Sequence, residues 1–339
     1  MKIYDLSSCR LLSKEEISRC RRIADDIAQL KGNTGSGSWV APNGSVIHGQ
    51  VSKIDFDNVD EDFLNRLRLH SYIFNGYRLS NLLGQTSDPH WNDALTRVFD
   101  PQGIGPDWSV PAFRKYTEGL APEHIFSPPL VMGEVGFDVD GHCVNRDVVA
   151  YQERVNLMRE FGVFEHLAGK NAPMILEIGA GYGGLACYLK KKFQKATYLI
   201  VDLPRSLLFS GCYLAVAVPG VDVRVFKPEE RVIVPGSITL VANFLLPALP
   251  PSAVDVALNT LSFAEMPKDT VIEYSSWLEK NLAKDGLLFE QNFDNSRLDP
   301  ARFCRPSKAI SRFFKCRQTK SRDLHWGVAN LWSRKTRFF

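Results

Sequence analysis

Apolar side chains are spaced in two different ways along this chain. Up to about residue 167 they recur at helical intervals. In residues 13–30, Ile17, Cys20, Ile23, Ala24, Ile27 and Leu30 form one stripe, and Ser13-x-x-Glu16 is a capping box that marks the start of the helix. Residues 60–83 carry Phe63, Leu64, Leu67, Ile73, Phe74 and Leu82 on one face, and residues 145–167 carry Val148, Val149, Val155, Leu157, Met158, Phe161 and Phe164. Between them lie a Gly/Ser-rich loop, 31–48, and a Pro/Gly-rich stretch, 101–141, expected to be irregular and to lie over the surface of something else.

From residue 175 the spacing changes. Short apolar runs at 175–178, 197–201, 254–258 and 286–293 read as strands, with helical patterns at 183–193, 206–216 and 268–282 and two further strand-like runs at 221–226 and 238–244. Two closing runs, 312–318 and 325–332, are joined by the polar segment 319–323 and read as an antiparallel hairpin on one edge. The pattern predicts an α/β fold: a Rossmann-like, mostly parallel sheet covered on both faces and closed by the hairpin, preceded by a mainly helical N-terminal region. The expected division is 1–144 for the helical region with a lid-like loop and 145–339 for the sheet. Ligands of such sheets bind beyond the carboxyl ends of the strands, so the residues just after each strand are the ones to examine.

One of those turns stands out. The run Met174-Ile175-Leu176-Glu177-Ile178 breaks into Gly179-Ala180-Gly181-Tyr182-Gly183-Gly184 and resumes as a helix. Glycines there let the backbone turn with positive φ and approach a ligand closely, and the helix that follows offers free N–H groups to an anionic group. Gly179-x-Gly181-x-x-Gly184 satisfies the dinucleotide fingerprint, and Asp202 stands where a ribose-binding acid belongs. On that pattern alone a nicotinamide-dependent oxidoreductase is one reading, and a binding module without catalysis is another.

Composition adds exclusions. Lys and Arg total 41 against 38 Asp and Glu in 339 residues, and the net charge of +3 gives no global reason to expect nucleic acid or a membrane as partner. Basic residues are concentrated at the end, where 301–339 holds eleven Lys or Arg and the single acid Asp323, a surface able to meet an anionic group. Seven scattered cysteines with no C-x-x-C pair predict free thiols in a reducing cytoplasm. The N-terminus lacks the apolar core of a signal peptide, and the apolar stretch 238–251 is broken by Asn243 and three prolines, so no membrane insertion is expected. No His/Asp/Glu cluster has ligand spacing, and no metal is expected. A homo-oligomer is left open.

The acid Glu177 before the first glycine, the mid-chain position of the unit and the closing hairpin turn the reading away from a dehydrogenase. Glu177-x-Gly179-x-Gly181-x-Gly183-Gly184 with the later Asp202 resembles the first two motifs of class I S-adenosylmethionine-dependent methyltransferases. With Val201-Asp202-Leu203-Pro204 and the segment from Asp255 through Asn259-Thr260-Leu261-Ser262-Phe263-Ala264-Glu265-Met266-Pro267, the chain is similar, from about 133 to 293, to the sugar O-methyltransferase family associated with deoxysugar and surface-glycan tailoring. The resemblance implies S-adenosylmethionine as cofactor and a small-molecule or glycan acceptor, whether deoxysugar, nucleotide sugar or polymer. It implies that Asp202 accepts both ribose hydroxyls, that the loop Gly179, Ala180, Gly181, Tyr182 and Gly183 lies against the methionine and ribose portion, and that Glu177 holds the loop or the cofactor's amino group. Leu203 and Asn259 would line the same site, and Asn243 would contact adenine.

Methyl transfer is an in-line displacement at an activated sulfonium, so the enzyme's task is mainly to align the acceptor and give its proton somewhere to go. Glu265, after the fourth strand, is the first candidate for that base and His325, in the hairpin, the second. Ser262 could line the acceptor pocket, His124 and His142 could reach it from a lid, and Arg322 could meet an anionic acceptor. A non-sugar acceptor is the nearest alternative.

Overall fold

The computed structural model describes residues 2–30, 59–71, 106–297, 300–301 and 303–335. Its centre is an eight-stranded sheet made of β4 (Met174–Ile178), β5 (Thr197–Asp202), β6 (Val223–Val225), β7 (Ile238–Ala242), β8 (Val254–Thr260), β9 (Leu282–Asn292), β10 (Phe314–Lys320) and β11 (Val328–Arg334). The order across the sheet is β10-β11-β9-β8-β4-β5-β7-β6. Strands β6 to β9 with β4 and β5 run parallel, and β11 is antiparallel to both β9 and β10. This is the predicted Rossmann-like sheet with its antiparallel hairpin. A small antiparallel sheet, β1 (Ile3–Tyr4), β2 (Gly136–Val139) and β3 (His142–Val144), joins the N-terminus to the segment before the large sheet and was not expected from the apolar pattern.

In chain order the helices are α1 (Lys14–Ala28), α2 (Glu61–Asn65), α3 (Leu67–Ser71), α4 (Pro106–Thr117), α5 (Arg146–Glu160), α6 (Val163–Ala168), α7 (Gly184–Lys192), α8 (Pro204–Ala217), α9 (Ser262–Glu265), α10 (Lys268–Asn281) and α11 (Pro306–Ile310). Alternate residues of each central strand feed two apolar layers. Ile175, Tyr198, Ile200, Val256, Leu258 and Phe289 pack under α5 to α8, whereas Leu176, Ile178, Leu199, Val201, Ala257 and Leu288 pack under α10 and α11.

The capping box forms as read: the Ser13 hydroxyl accepts the Glu16 N–H at 3.2 Å and Glu16 accepts the Ser13 N–H at 2.8 Å. Helix α1 then lies on α8, with Cys20 and Cys212 facing each other. The contact needs a glycine. A Cβ on Gly211 would sit 2.6 Å from Leu240 of the sheet on one side and 2.8 Å from Ile23 of α1 on the other. Thus α8 is clamped between sheet and N-terminal helix.

Three expectations are corrected. The 145–167 pattern is two helices, broken where Gly162 takes a φ of +76°. Within 60–83 the described part is two short helices, α2 and α3; residues 72–83, like the loop 31–48, lie outside the described residues. The stretch 101–141 contains α4 and β2, and α4 carries Pro111 inside it. Proline there lacks the N–H that would bond one turn back, so the helix forgoes one interior bond.

A buried ion network ties α3 to α5. Arg68, fully buried, reaches Glu134 at 2.6 Å and Asp147 at 2.9 Å and also meets Ser71, while Asn145 donates to Glu134 at 2.6 Å. The Arg68 guanidinium lies 3.4 Å from the centre of the Tyr182 ring, so the network ends on the glycine turn.

Candidate active site at the carboxyl edge of the sheet

The turn after β4 is shaped by backbone conformation. Gly179, Gly181 and Gly183 have φ of +75°, +58° and +89°, values that side-chain-bearing residues rarely take. Gly179 is also hemmed in, since a Cβ there would lie 2.5 Å from the Ser262 Cβ. Its neighbours turn their side chains away from the edge. Ala180 is buried, and Tyr182 points into the interior, edge-on to Tyr151 and Tyr213 beneath Arg68, so only the backbone of these two is available to a ligand.

Around this turn stand three carboxyls. Glu177 is buried, accepts the Tyr198 hydroxyl at 2.7 Å, and is pushed up to about 7 by burial, against the pull of Tyr198 and of the Arg154 charge. Asp202 ends β5 with part of its surface open; it accepts the Leu203 N–H at 2.8 Å and is flanked by the Gly181 and Ala180 N–H groups and Ser206. Burial raises it as well to about 7. Glu265, at the end of α9, rises to about 7 from burial and then from the charge of Asp202, which puts the two on the same side of the edge.

The segment after β8 is strained. Leu261 has a φ of +68°, an uncommon conformation for a side chain of that size, held because its N–H donates to Gln291 at 2.8 Å. Asn259 locks the turn from below: its amide donates to Ile178 O at 2.9 Å and Ser262 at 2.6 Å and accepts from Phe263 N–H at 3.2 Å and Asn292 at 3.1 Å. Ser262 in turn donates to Ile178 O at 3.1 Å. Both side chains expected to line a pocket are therefore engaged in bracing the β4 and β8 turns against each other. Leu203 gives its N–H to Asp202 and leaves its side chain half-buried at the rim.

Among the described residues several buried polar atoms have no partner, and two of them belong to residues that border the glycine turn and the neighbouring strand ends. Asn243, directly after β7, has an unmatched side-chain oxygen, and Arg154 of α5, itself buried, has an unmatched Nε and no carboxylate partner among the described residues. Buried polar groups are ordinarily paired, so unmatched ones around a ligand turn point to what the ligand supplies. An acceptor at the β7 end, a cation beside Glu177 and a carboxylate at the β5 end suit, in turn, an amino-bearing base, a free carboxylate and a vicinal diol.

At the other end of the same edge, the connection 321–327 carries His325. Its Nδ1 is 2.7 Å from the Tyr116 hydroxyl, its ring is edge-on to Trp108 at 5.1 Å, and its N–H donates to Glu153 at 3.0 Å. Glu153 lies buried on α5 and also accepts the Tyr116 hydroxyl and Gln291, each at 2.6 Å. Trp326 forms a further wall, 6.3 Å from Trp108, with Arg146 5.0 Å over its ring. Arg322 stands exposed on the same connection. Sequence reasoning missed Tyr116, Glu153, Arg154 and the two tryptophans; all but Trp326, which neighbours His325 in the hairpin connection, come from α4 and α5, whose side chains reach the edge only once the helices are packed.

Two histidines expected there are elsewhere. His124 sits 3.5 Å from Lys192 at the far end of α7 and feels the Arg159 charge, toward the opposite edge of the sheet. His142 belongs to the small sheet, with Ser127 at 3.1 Å and Phe113 as neighbours. Both were read as lid residues because their segment is rich in Pro and Gly, yet that segment is packed structure.

Buried carboxyls give the protein a defined pH response. Glu177 and Glu290, almost completely inaccessible, are raised to about 7, the latter by burial against the pull of Asn292 and Asn330. Between their unfolded value of 4.5 and about 7 the folded protein holds protons that the unfolded chain has lost, so stability falls as pH rises through that window. Glu16, drawn down to about 2 by Arg10, acts in the opposite sense only as pH falls below 4.5. The ligand-free protein should melt on the order of 5 °C lower at pH 8 than at pH 5.5, and Glu290→Gln should flatten the slope; a melting temperature that rises over this range would contradict the assignment.

No protein-family model matches the chain, and no curated protein matches it. Among solved structures it is similar to a TehB-like SAM-dependent methyltransferase from Corynebacterium glutamicum, at 14% identity over 55% of this chain and 96% of that one with a TM-score of 0.35. It is also similar to the N-methyltransferase NodS from Bradyrhizobium japonicum WM9, solved with S-adenosyl-L-homocysteine, at 12% identity over 54% of this chain and 85% of that one with a TM-score of 0.37.

Proposed function

We propose that the protein is an S-adenosylmethionine-dependent O-methyltransferase that acts on a sugar hydroxyl. The observation that carries the reading is the conjunction of the glycine turn, Asp202 at the next strand end and a sheet closed by an antiparallel strand, β11, between β9 and β10. A dinucleotide oxidoreductase continues the parallel order to a sixth strand, and this sheet departs from that order at β11.

The residues present fit the cofactor. Asp202 accepts the ribose hydroxyls, the Asn243 oxygen takes the adenine amino group, and Arg154 with Glu177 holds the carboxylate and ammonium of the methionine end. When bound, the cofactor supplies a sulfonium methyl group, already activated for displacement. Glu265 and His325 stand at this edge as groups able to take or orient the acceptor's proton. The rings of Trp108, Trp326 and Tyr116, with Gln291 and Arg146 among them, give apolar faces and hydrogen-bonding groups suited to a sugar ring, and Arg322 suits an acceptor that carries phosphate.

Calorimetry tests the cofactor assignment: S-adenosylhomocysteine should bind and NAD should not, and the reverse result would end the methyltransferase reading. Methyl transfer to a panel of nucleotide sugars and glycosides tests the acceptor. Product from phenols or amines, with none from sugars, would move the assignment to a non-sugar acceptor.

A further inference from the structure

The geometry points to a relay behind the acceptor site in which Glu153 and Tyr116 are positioning residues that hold His325 in the Nδ1–H tautomer, leaving Nε2 as the catalytic base. The inference rests on the methyl-transfer reading above and deepens it.

The hydrogen-bond count fixes the direction of each proton. Oε2 of Glu153 lies 2.6 Å from the Tyr116 hydroxyl, and a carboxylate can only accept, so the single phenolic proton goes to Glu153. What Tyr116 then offers to His325 Nδ1, 2.7 Å away, is an oxygen lone pair. Nδ1 must supply the hydrogen. A neutral imidazole protonated on Nδ1 carries its lone pair on Nε2. With the opposite tautomer, the nitrogen lone pair would face the phenol oxygen with no hydrogen between them.

The rest of the relay is held firmly. Glu153 is 2% exposed and is fixed by Gln291 on its other oxygen at 2.6 Å and by the His325 backbone N–H at 3.0 Å. Burial, then the Glu153 carboxylate, pushes the Tyr116 phenol well above its usual range, so it stays protonated. The Trp108 ring braces the imidazole edge-on, and the His325 side chain is 43% exposed, so the ring reaches the open edge of the sheet.

During transfer the acceptor hydroxyl gives its proton to Nε2 of His325, and its oxygen forms the new bond to the methyl carbon. The methyl–sulfur bond breaks with its electron pair on sulfur, leaving a thioether. The imidazolium formed donates from Nδ1 to Tyr116, with the Glu153 carboxylate 3.5 Å behind it to balance the charge. Glu265 is then left to orient groups beside Asp202.

The test reads the tautomer directly. In protein labelled with ¹⁵N-histidine, long-range ¹H–¹⁵N correlation at pH 8 should show His325, identified by the signals lost in His325→Gln, with Nδ1 protonated and Nε2 unprotonated. Tyr116→Phe should return it to the more common Nε2–H form and, with an acceptor that is methylated, lower kcat by at least about tenfold with little change in KM. His325 found as Nε2–H in the unaltered protein would overturn the relay, as would a Tyr116→Phe variant that keeps full kcat. S-adenosylhomocysteine affinity, measured on the same samples, separates the two levels: no binding to the unaltered protein would sink the methyltransferase reading while the tautomer result stands or falls separately.

Discussion

Asp202→Ala should weaken S-adenosylhomocysteine binding by about 100-fold. A carboxylate that accepts two ribose hydroxyls makes two charge-assisted hydrogen bonds, each contributing about 1.5–3 kcal/mol; losing about 3 kcal/mol corresponds to roughly that factor. The fold should survive, because the substitution also removes a carboxyl that burial raises to about 7. For the same reason affinity should decline as pH falls below about 7, where Asp202 takes up a proton in the free protein and must lose it to bind. Titration calorimetry on the variant and across pH checks both. A dissociation constant unchanged by Asp202→Ala would remove the residue from the cofactor site.

The second large effect is on stability. Arg68→Met should destabilise the protein by about 3–5 kcal/mol, since it removes the buried cation that both Glu134 and Asp147 reach. It also removes the ring partner of Tyr182, between two glycines whose positive φ shapes the ligand turn. Urea denaturation measures the loss, and a change below about 1 kcal/mol would show that the network is not structural. Adding Glu134→Gln and Asp147→Asn should restore a good part of it, because the cost lies in buried carboxylates that have lost the Arg68 charge.

What the sequence disclosed follows from how local each constraint is. The turn after β4 was readable because positive φ at three positions leaves glycine nearly alone as the residue of choice, and the strand and helix alternation was readable from spacing. Asp202 followed from its distance to the turn. The hairpin's opening toward the ligand edge was also foreseen, which is why His325 was named.

The unread parts depend on tertiary packing. Glu153 and Tyr116 are 37 residues apart and meet only because α4, a helix concealed by Pro111, packs on α5. Leu261 gave no sign of its strained backbone, since no glycine marks it. Asn259 and Ser262 looked like pocket residues because they follow a strand; in the folded protein their hydrogen bonds are turned inward on Ile178. The histidines at 124 and 142 were drawn to the site by a composition that suggested a loose loop.

Helix α5 has one further consequence. Its capping residue Asn145 accepts the Val148 N–H at 3.0 Å and so sets the angular phase of everything after it. Asp147 faces the Arg68 network, Glu153 the Tyr116 and His325 pair and Arg154 the acid of β4, three directions on one helix that turns about 100° per residue. One helix thereby fixes the spacing between the glycine turn and the cluster around His325. A shift of that helix would carry both along together, and with them Trp326, whose ring lies under Arg146 of the same helix.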